Sequence, residues 1–209
     1  GLYCPVRKAN SYRRMAKAMR TNAVADNLLK REFRLRGPRK VFLTDITYIP
    51  FNDSFLYLSV IMDSFTDEVL SYVLSESMEV DFVLQTVKQF IAKHGATLDS
   101  EAIIHSDQGC HYTSTSFRAI VSDYGLRQSM SRRGNCWDNA PQESFFGHMK
   151  QEIQFKTRKC LSFSAVQEVI DDWIDYYNKD RYKAALNNLS PNEFYKYITT
   201  GEYPLKMLH

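Results

Sequence analysis

Between residues 40 and 77, apolar and polar positions alternate over three runs, "KVFLTDITYIPF", "FLYLSVIMDSF" and "EVLSYVLSES". They are rich in β-branched and aromatic residues and divided by short polar turns such as Asn52-Asp53-Ser54. That pattern predicts a three-stranded antiparallel meander. Over 79–94 the period changes. Val80, Val83, Leu84, Val87 and Ile91 share one helical face, and the pattern stops before Gly95, as a helix should. A fourth strand, "EAIIHSD", a helix around 116–124 ended by Gly125, and a short strand, "LRQSMS", follow. The order βββαβαβ, with long crossovers after hairpins, predicts an α/β mixed sheet covered by helices.

Beyond "SRRGNCW" the pattern is helical. Asp138 or Asn139 is placed to cap a helix whose first turn accepts Pro141. A second helix is predicted over 163–178, with Val166, Val169, Ile170, Trp173, Ile174 and Tyr177 on one side; Trp173 and Tyr177 are read as packing residues. Ser190-Pro191-Asn192-Glu193 opens a short terminal helix. Upstream, residues 11–35 mix Tyr12, Met15, Met19, Val24, Leu28 and Leu29 with many cations, which predicts one or two amphipathic helices starting near Ser11 and Asn22. Gly37-Pro38 marks the expected boundary. The expected organisation is a basic helical arm or linker at 1–36, the end of an upstream region, a core at 37–158 and a helical extension at 159–209.

Composition narrows the class. The chain has 209 residues, 44% apolar and 24% charged, enough to bury a core. No run of 18 apolar residues occurs, so no membrane partner is expected, and residues 1–5 carry no signal-peptide pattern. The chain opens inside a basic region, as a piece of a longer polypeptide would. Cys4, Cys110, Cys136 and Cys160 are scattered without a CxxC, which predicts free thiols in a reducing, cytoplasmic compartment. The net charge of +3 is uneven: residues 1–40 hold twelve Lys or Arg against two acids, and residues 41–131 hold four against twelve. A basic arm suits a polyanion, whereas an acidic middle suits cations.

Three acids stand out. Asp45 interrupts a run built for burial, where a carboxylate is costly unless paired, exposed at the rim or bound to metal. Asp107 ends the fourth strand, where α/β sheets commonly open ligand sites. Glu143 lies in the first or second turn of the helix starting near Asp138, and Lys150 lies seven residues, or two turns, further on. Each acid taken singly is equally a rim, turn or cap residue. Together, with no histidine cluster, they favour hard cations, Mg²⁺ or Mn²⁺, over zinc. Paired hard cations activate an attacking oxygen and stabilise the leaving oxygen in phosphoryl transfer.

At these residues the chain resembles the catalytic half of bacterial insertion-sequence transposases of the two-reading-frame type, within the retroviral-integrase-like group. The family motifs are like "TDITYI", "HSDxGxQYTS" and "DNAxxESFFxxLKxE"; here they run from Thr44 to Ile49, His105 to Ser114, and Asp138 to Glu152. Asp107 and Glu143 have 35 residues between them, as in the D,D-35-E pattern, and Lys150 matches its basic residue. "YYNKDRYKAALNNLSPNEF" is similar to the family's closing motif, so the likeness covers roughly residues 38–197. It implies an RNase H-like fold, with three antiparallel strands and then two parallel ones. It also implies a Mg²⁺-dependent DNA transposase, Mn²⁺ being able to substitute, with Asp45, Asp107 and Glu143 as metal ligands and Lys150 beside them. The expected partners are double-stranded DNA (element ends and target), further copies of the chain on that DNA, and the partner reading frame's product. The expected location is the bacterial nucleoid.

Two positions depart from the family motifs: His111 stands where glutamine is usual and Met149 where leucine is usual. His111 is expected at the surface or facing DNA, and His105 as a partly buried hydrogen-bonding residue. Asp63 and Asp67 are read as turn or rim residues, with Asp63 in reserve should Asp45 be misplaced. The expected DNA contacts are Lys150, Arg132, Arg133, Asn135 and Trp137, together with Arg13, Arg14 and Lys17 of the arm. Lys179, Arg181 and Lys183 form a weaker basic patch. Competing readings are a structure-selective nuclease of the same fold and a catalytically silent DNA-binding protein.

Overall fold

The computed structural model describes residues 24–132 and 136–204. The meander forms as expected: β1 (Val41–Phe51), β2 (Ser54–Asp63) and β3 (Val69–Ser75) pair antiparallel. The β1–β2 turn places Asn52 in the left-handed region at φ 49°, which asparagine tolerates better than most residues. After α1 (Val80–His94) the chain returns as β4 (Ile103–Ser106), parallel to β1, and then β5 (Arg127–Met130), parallel to β4. The sheet order is β3-β2-β1-β4-β5. Between β4 and β5 lie α2 (Cys110–Thr113) and α3 (Thr115–Asp123), the latter capped by the Ser114 hydroxyl, which accepts from the Phe117 amide. The helix expected around 116–124 is thus preceded by an extra short turn.

Alternation in β1 divides the core between the two sheet faces. Val41, Leu43 and Ile49 point to one face with Leu58 and Val60; Phe42 points to the other with Ile61 and Ile104. The second face is covered by Phe82, Val83, Val87 and Phe90 of α1 and by Phe117 and Val121 of α3. The first is covered by α4 (Ala140–Thr157), through Phe145, Phe146, Met149 and Ile153, and by α5 (Phe163–Lys179). Phe145 joins α4 to α5 within that layer. Its ring centroid lies 5.6 Å from Trp173 and 5.0 Å from Tyr177, so both aromatics pack as the helical periodicity predicted. α6 (Pro191–Thr200) starts with the predicted capping box between Ser190 and Glu193.

The basic arm departs from expectation. Of the helix expected from Asn22 onward within residues 11–35, residues 24–35 form turns and bends instead. Leu29 is fully buried in the core that α4 and α5 share, and the Ser129 hydroxyl accepts from the Leu28 amide at 2.9 Å. Tertiary anchoring has overridden local propensity here. The helix expected from Ser11 falls on residues outside those described.

Candidate functional site

The two aspartates are brought together by strand register. In the parallel β1–β4 pair, Leu43 aligns with His105 and the ladder ends there. Asp45 is two residues beyond Leu43 and Asp107 two beyond His105, so both carboxylates sit where the strands part, and both line one open cavity. Each is half-buried and tied to backbone. Asp45 Oδ1 accepts from the Ile46 amide at 2.7 Å; Asp107 Oδ1 accepts from the Gly109 amide at 2.8 Å. Gly109 is needed for space, because a Cβ there would lie 2.8 Å from Asp107 Oδ1.

The third acid arrives on α4. Glu143 lies in its first turn and is exposed. Burial above all, then the charge of Asp107 and, less, that of Glu143 push the Asp45 carboxyl up to about 7. Burial also raises Asp107. Lys150, two turns along α4, puts its ammonium 4.7 Å from the centroid of the Tyr48 ring and senses the Asp45 charge, although burial lowers its pKa on balance.

Asn139 has a role that the capping reading missed. The segment Cys136–Asn139 is a 3₁₀ turn, and α4 starts at Ala140 with no side-chain cap. The Asn139 amide instead donates to Asp45 Oδ2 at 2.9 Å. Asp138 does not cap either. Its buried carboxylate accepts from Arg132 through backbone and guanidinium, from Arg31 at 2.7 Å and from Asn27 at 3.0 Å. The sequence signal for both was adjacency to the Glu143 helix; what hid their roles was that Asp45, the partner of Asn139, and Asn27, one partner of Asp138, lie 94 and 111 residues away in the chain.

His105 is fully buried rather than partly so. Its Nδ1 pairs with the Ser129 hydroxyl at 2.8 Å and its Nε2 with the Asp138 carbonyl at 3.0 Å, while burial lowers its pKa. The Asp138 carbonyl can only accept, so Nε2–H donates to it, and Nδ1 of the neutral ring accepts from the Ser129 hydroxyl, whose oxygen also accepts from the Leu28 amide. His111 is corrected: it is not a surface residue but 2% exposed, with Nε2 donating to the Met78 carbonyl at 2.8 Å and Phe82 edge-on to its ring. Asp63 and Asp67 are the turn residues expected. Asp63 accepts from the Arg39 and Phe65 amides, each at 2.7 Å, and Asp67 pairs with Arg34 and Lys183.

Of the expected DNA contacts, Arg132 is exposed and paired with Asp138, and Trp137 is 69% exposed. Arg133, Asn135, Arg13, Arg14 and Lys17 lie outside the described residues. Lys179, Arg181 and Lys183 are each paired, with Asp175, Glu152 and Asp67. Cys110 and Cys160 are free thiols; Cys4 lies outside the described residues. Among the described residues no helix is long and apolar enough to cross a membrane.

Among the described residues no group of three or more His, Cys, Asp or Glu side chains is gathered closely enough to hold a metal ion. The donor chemistry nevertheless fits a hard divalent cation. Two half-buried carboxylates share one fork, a third carboxylate raises Asp45 further, and a bound cation would relieve that repulsion.

Comparison with known proteins agrees with this geometry. An integrase core domain model matches residues 36–136 and a second integrase core domain model matches residues 124–191. A transposase-like protein of Haemophilus influenzae is 38% identical over 80% of this chain and 76% of its own length. A putative transposase for insertion element IS150 of Escherichia coli is 36% identical over 81% of this chain, which spans 59% of that protein. The transposase of element IS904 of Lactococcus lactis is 35% identical over 82% of this chain and 67% of its own length. Among solved structures, the simian T-cell lymphotropic virus intasome aligns with TM-score 0.65 at 14% identity, over 90% of this chain and 64% of that one. The HTLV-2 integrase catalytic core aligns with TM-score 0.57 at 15% identity, over 75% and 96%. At such identities these structures establish the shared fold, an RNase H-like sheet. With the relatives above, the chain belongs to the integrase-core family of bacterial insertion-sequence transposases.

Proposed function

We propose that the protein catalyses DNA strand cleavage and strand transfer during transposition, with Asp45, Asp107 and Glu143 holding divalent cations, Mg²⁺ or in its place Mn²⁺. The single observation carrying this reading is the register that sets Asp45 and Asp107 side by side where β1 and β4 part, with Glu143 close enough to raise Asp45. The HTLV-2 integrase core that shares the fold was solved in complex with magnesium.

When bound, the cations supply activation of the attacking oxygen and neutralise the leaving oxygen. The chain's residues supply position. Asn139 and the Ile46 amide fix the Asp45 carboxylate from two sides, and the Gly109 amide fixes Asp107. Lys150, on the same face of α4 as Glu143, holds a phosphate oxygen beside them. Two in-line attacks follow in this reading: water frees a 3′-hydroxyl at an element end, and that hydroxyl attacks a second strand. Neither step uses a Ser, Cys or Tyr nucleophile, so no covalent protein intermediate forms.

Double-stranded DNA is then the partner, bound by several copies of the chain, with the partner reading frame's product aiding end recognition; the place of action is the cytoplasmic nucleoid. The experiment is product analysis after incubating a labelled duplex bearing a recessed 3′-hydroxyl end with plasmid and Mg²⁺. Joined product supports transfer. Nicked plasmid without joining overturns it in favour of a nuclease, and binding without either product favours a silent DNA-binding protein.

A further inference from the structure

The cavity beside the carboxylates has a second wall that the chemistry above leaves unused. Its volume is about 520 Å³, and besides Asp45 and Asp107 it is lined by Tyr48, Phe55, Tyr57 and Met78. Tyr48 and Phe55 are diagonal neighbours across the β1–β2 ladder, since Tyr48 pairs with Tyr57 and Pro50 with Phe55. Their rings meet edge to face, with centroids 5.5 Å apart. Yet Tyr48 stays 55% and Phe55 46% exposed. Two large aromatics left open on adjacent strands forgo burial that a structural role would have used.

Position says what covers them. Tyr48 is three residues beyond Asp45 on the same strand, about 10 Å along it, and the Lys150 ammonium lies over its ring. The cavity therefore presents carboxylates for cations and aromatic side chains for a flat π system, and Lys150, which lies outside its lining but against the Tyr48 ring, adds a cation for a phosphate oxygen at its edge. A nucleotide unit combines the complementary parts, an anionic phosphodiester and a stacking base. Drawing a duplex phosphate down to the fork between β1 and β4 distorts the strand, and a base released from its stack needs a new surface.

We propose that Tyr48 and Phe55 form a stacking site for an unpaired nucleobase adjoining the phosphodiester that reacts at Asp45 and Asp107; this rests on the strand-transfer reading above. The site is indifferent to base identity, because every base has a π face. Met78 and Tyr57 add to its lining.

The test needs neither metal nor turnover. The full chain is titrated, in chelator, with a single strand that is abasic except for one central 2-aminopurine, and with an all-abasic strand of equal length. The expected result is that the one-base strand binds about tenfold more tightly and that its 2-aminopurine fluorescence is quenched. Tyr48→Ala and Phe55→Ala should each erase most of that difference while leaving all-abasic binding unchanged; Tyr48→Phe should keep it. Both side chains are exposed, and circular dichroism verifies folding of each variant. No preference for the one-base strand in the wild-type chain overturns the proposal. So does a preference that survives both alanine variants, or one lost instead in Trp137→Ala. A shift of oligomeric state in the alanine variants, read by sedimentation, would assign the aromatic pair to a contact between copies and overturn it as well. Strand joining is measured in parallel: stacking without joining sinks the transfer reading alone, and joining without stacking sinks this proposal alone.

Discussion

Asn139 holds Asp45: its side-chain amide donates to Oδ2 at 2.9 Å across a sequence separation of 94 residues. The bond connects the turn before α4 to the middle of β1, so it orients the carboxylate and also sets how closely α4, with Glu143 and Lys150, approaches the fork. Asn139→Ala frees Oδ2 to rotate. We expect strand joining to fall about 10- to 100-fold, the usual cost of losing a group that orients a metal ligand. The Mg²⁺ concentration for half-maximal joining should rise while thermal stability changes little; kinetics across a Mg²⁺ series check this.

Gly109→Ala tests the other aspartate. The glycine's φ is −61°, so the backbone accepts alanine, but the new Cβ would sit 2.8 Å from Asp107 Oδ1. The carboxylate has to swing away. Folding should be almost unaffected, whereas joining should fall by up to about 100-fold, since small misplacements at a reacting centre are that costly. Denaturant unfolding measured beside joining rate separates the two effects.

Asp138 joins the segment before β1 to the turn before α4. Its buried carboxylate is held well below the usual carboxylate range, chiefly by hydrogen bonds from Arg132, with Arg31 adding. A depressed folded pKa means stability that is complete above the unfolded pKa, about 3.9, and is lost as pH falls toward the folded value. Asp138→Asn should cost about 1–3 kcal/mol at pH 7, tempered by the exposure of both arginines. The gap between wild type and variant should stay constant from pH 7 to about pH 5 and close below pH 4. Urea unfolding at several pH values reads it directly.

Phe145 is 3% exposed and meets Phe146, Trp173 and Tyr177. Phe145→Ala should destabilise the fold by about 3–5 kcal/mol. Because this ring sits on α4 between Glu143 and Lys150, joining should weaken even where the variant remains folded. Chemical denaturation and joining at low temperature check the two parts.

Much of the fold was legible because strand alternation and helical period are local. The meander, α1, α5 and the capping box of α6 all follow from spacing within one element. Residues 24–35 do not form the expected helix: Leu28 and Leu29 recur among cations as an amphipathic stripe would, while their actual partners, Ser129 and the core under α4, are remote in sequence. The site shows the same division. Asp45, Asp107 and Glu143 were readable from motif and spacing. The local pattern suggests Asp138 or Asn139 as a cap and His111 as a surface or DNA-facing residue, because hydrogen bonds from Asn139 to Asp45 and from His111 to the Met78 carbonyl leave no trace in it. The exposed pair Tyr48 and Phe55 looked like ordinary strand residues until the β1–β2 register set them side by side.

The central claim is that Asp45, Asp107 and Glu143 act as one cation-dependent centre for strand transfer. The most direct measurement is joining of a 3′-hydroxyl duplex end to target DNA by the wild-type chain and by Asp107→Asn, each with Mg²⁺ and with chelator. The account predicts joining by wild type in Mg²⁺ alone and a loss of at least about 1,000-fold in the variant. Equal joining by the two proteins, or wild-type joining that persists in chelator, would contradict it.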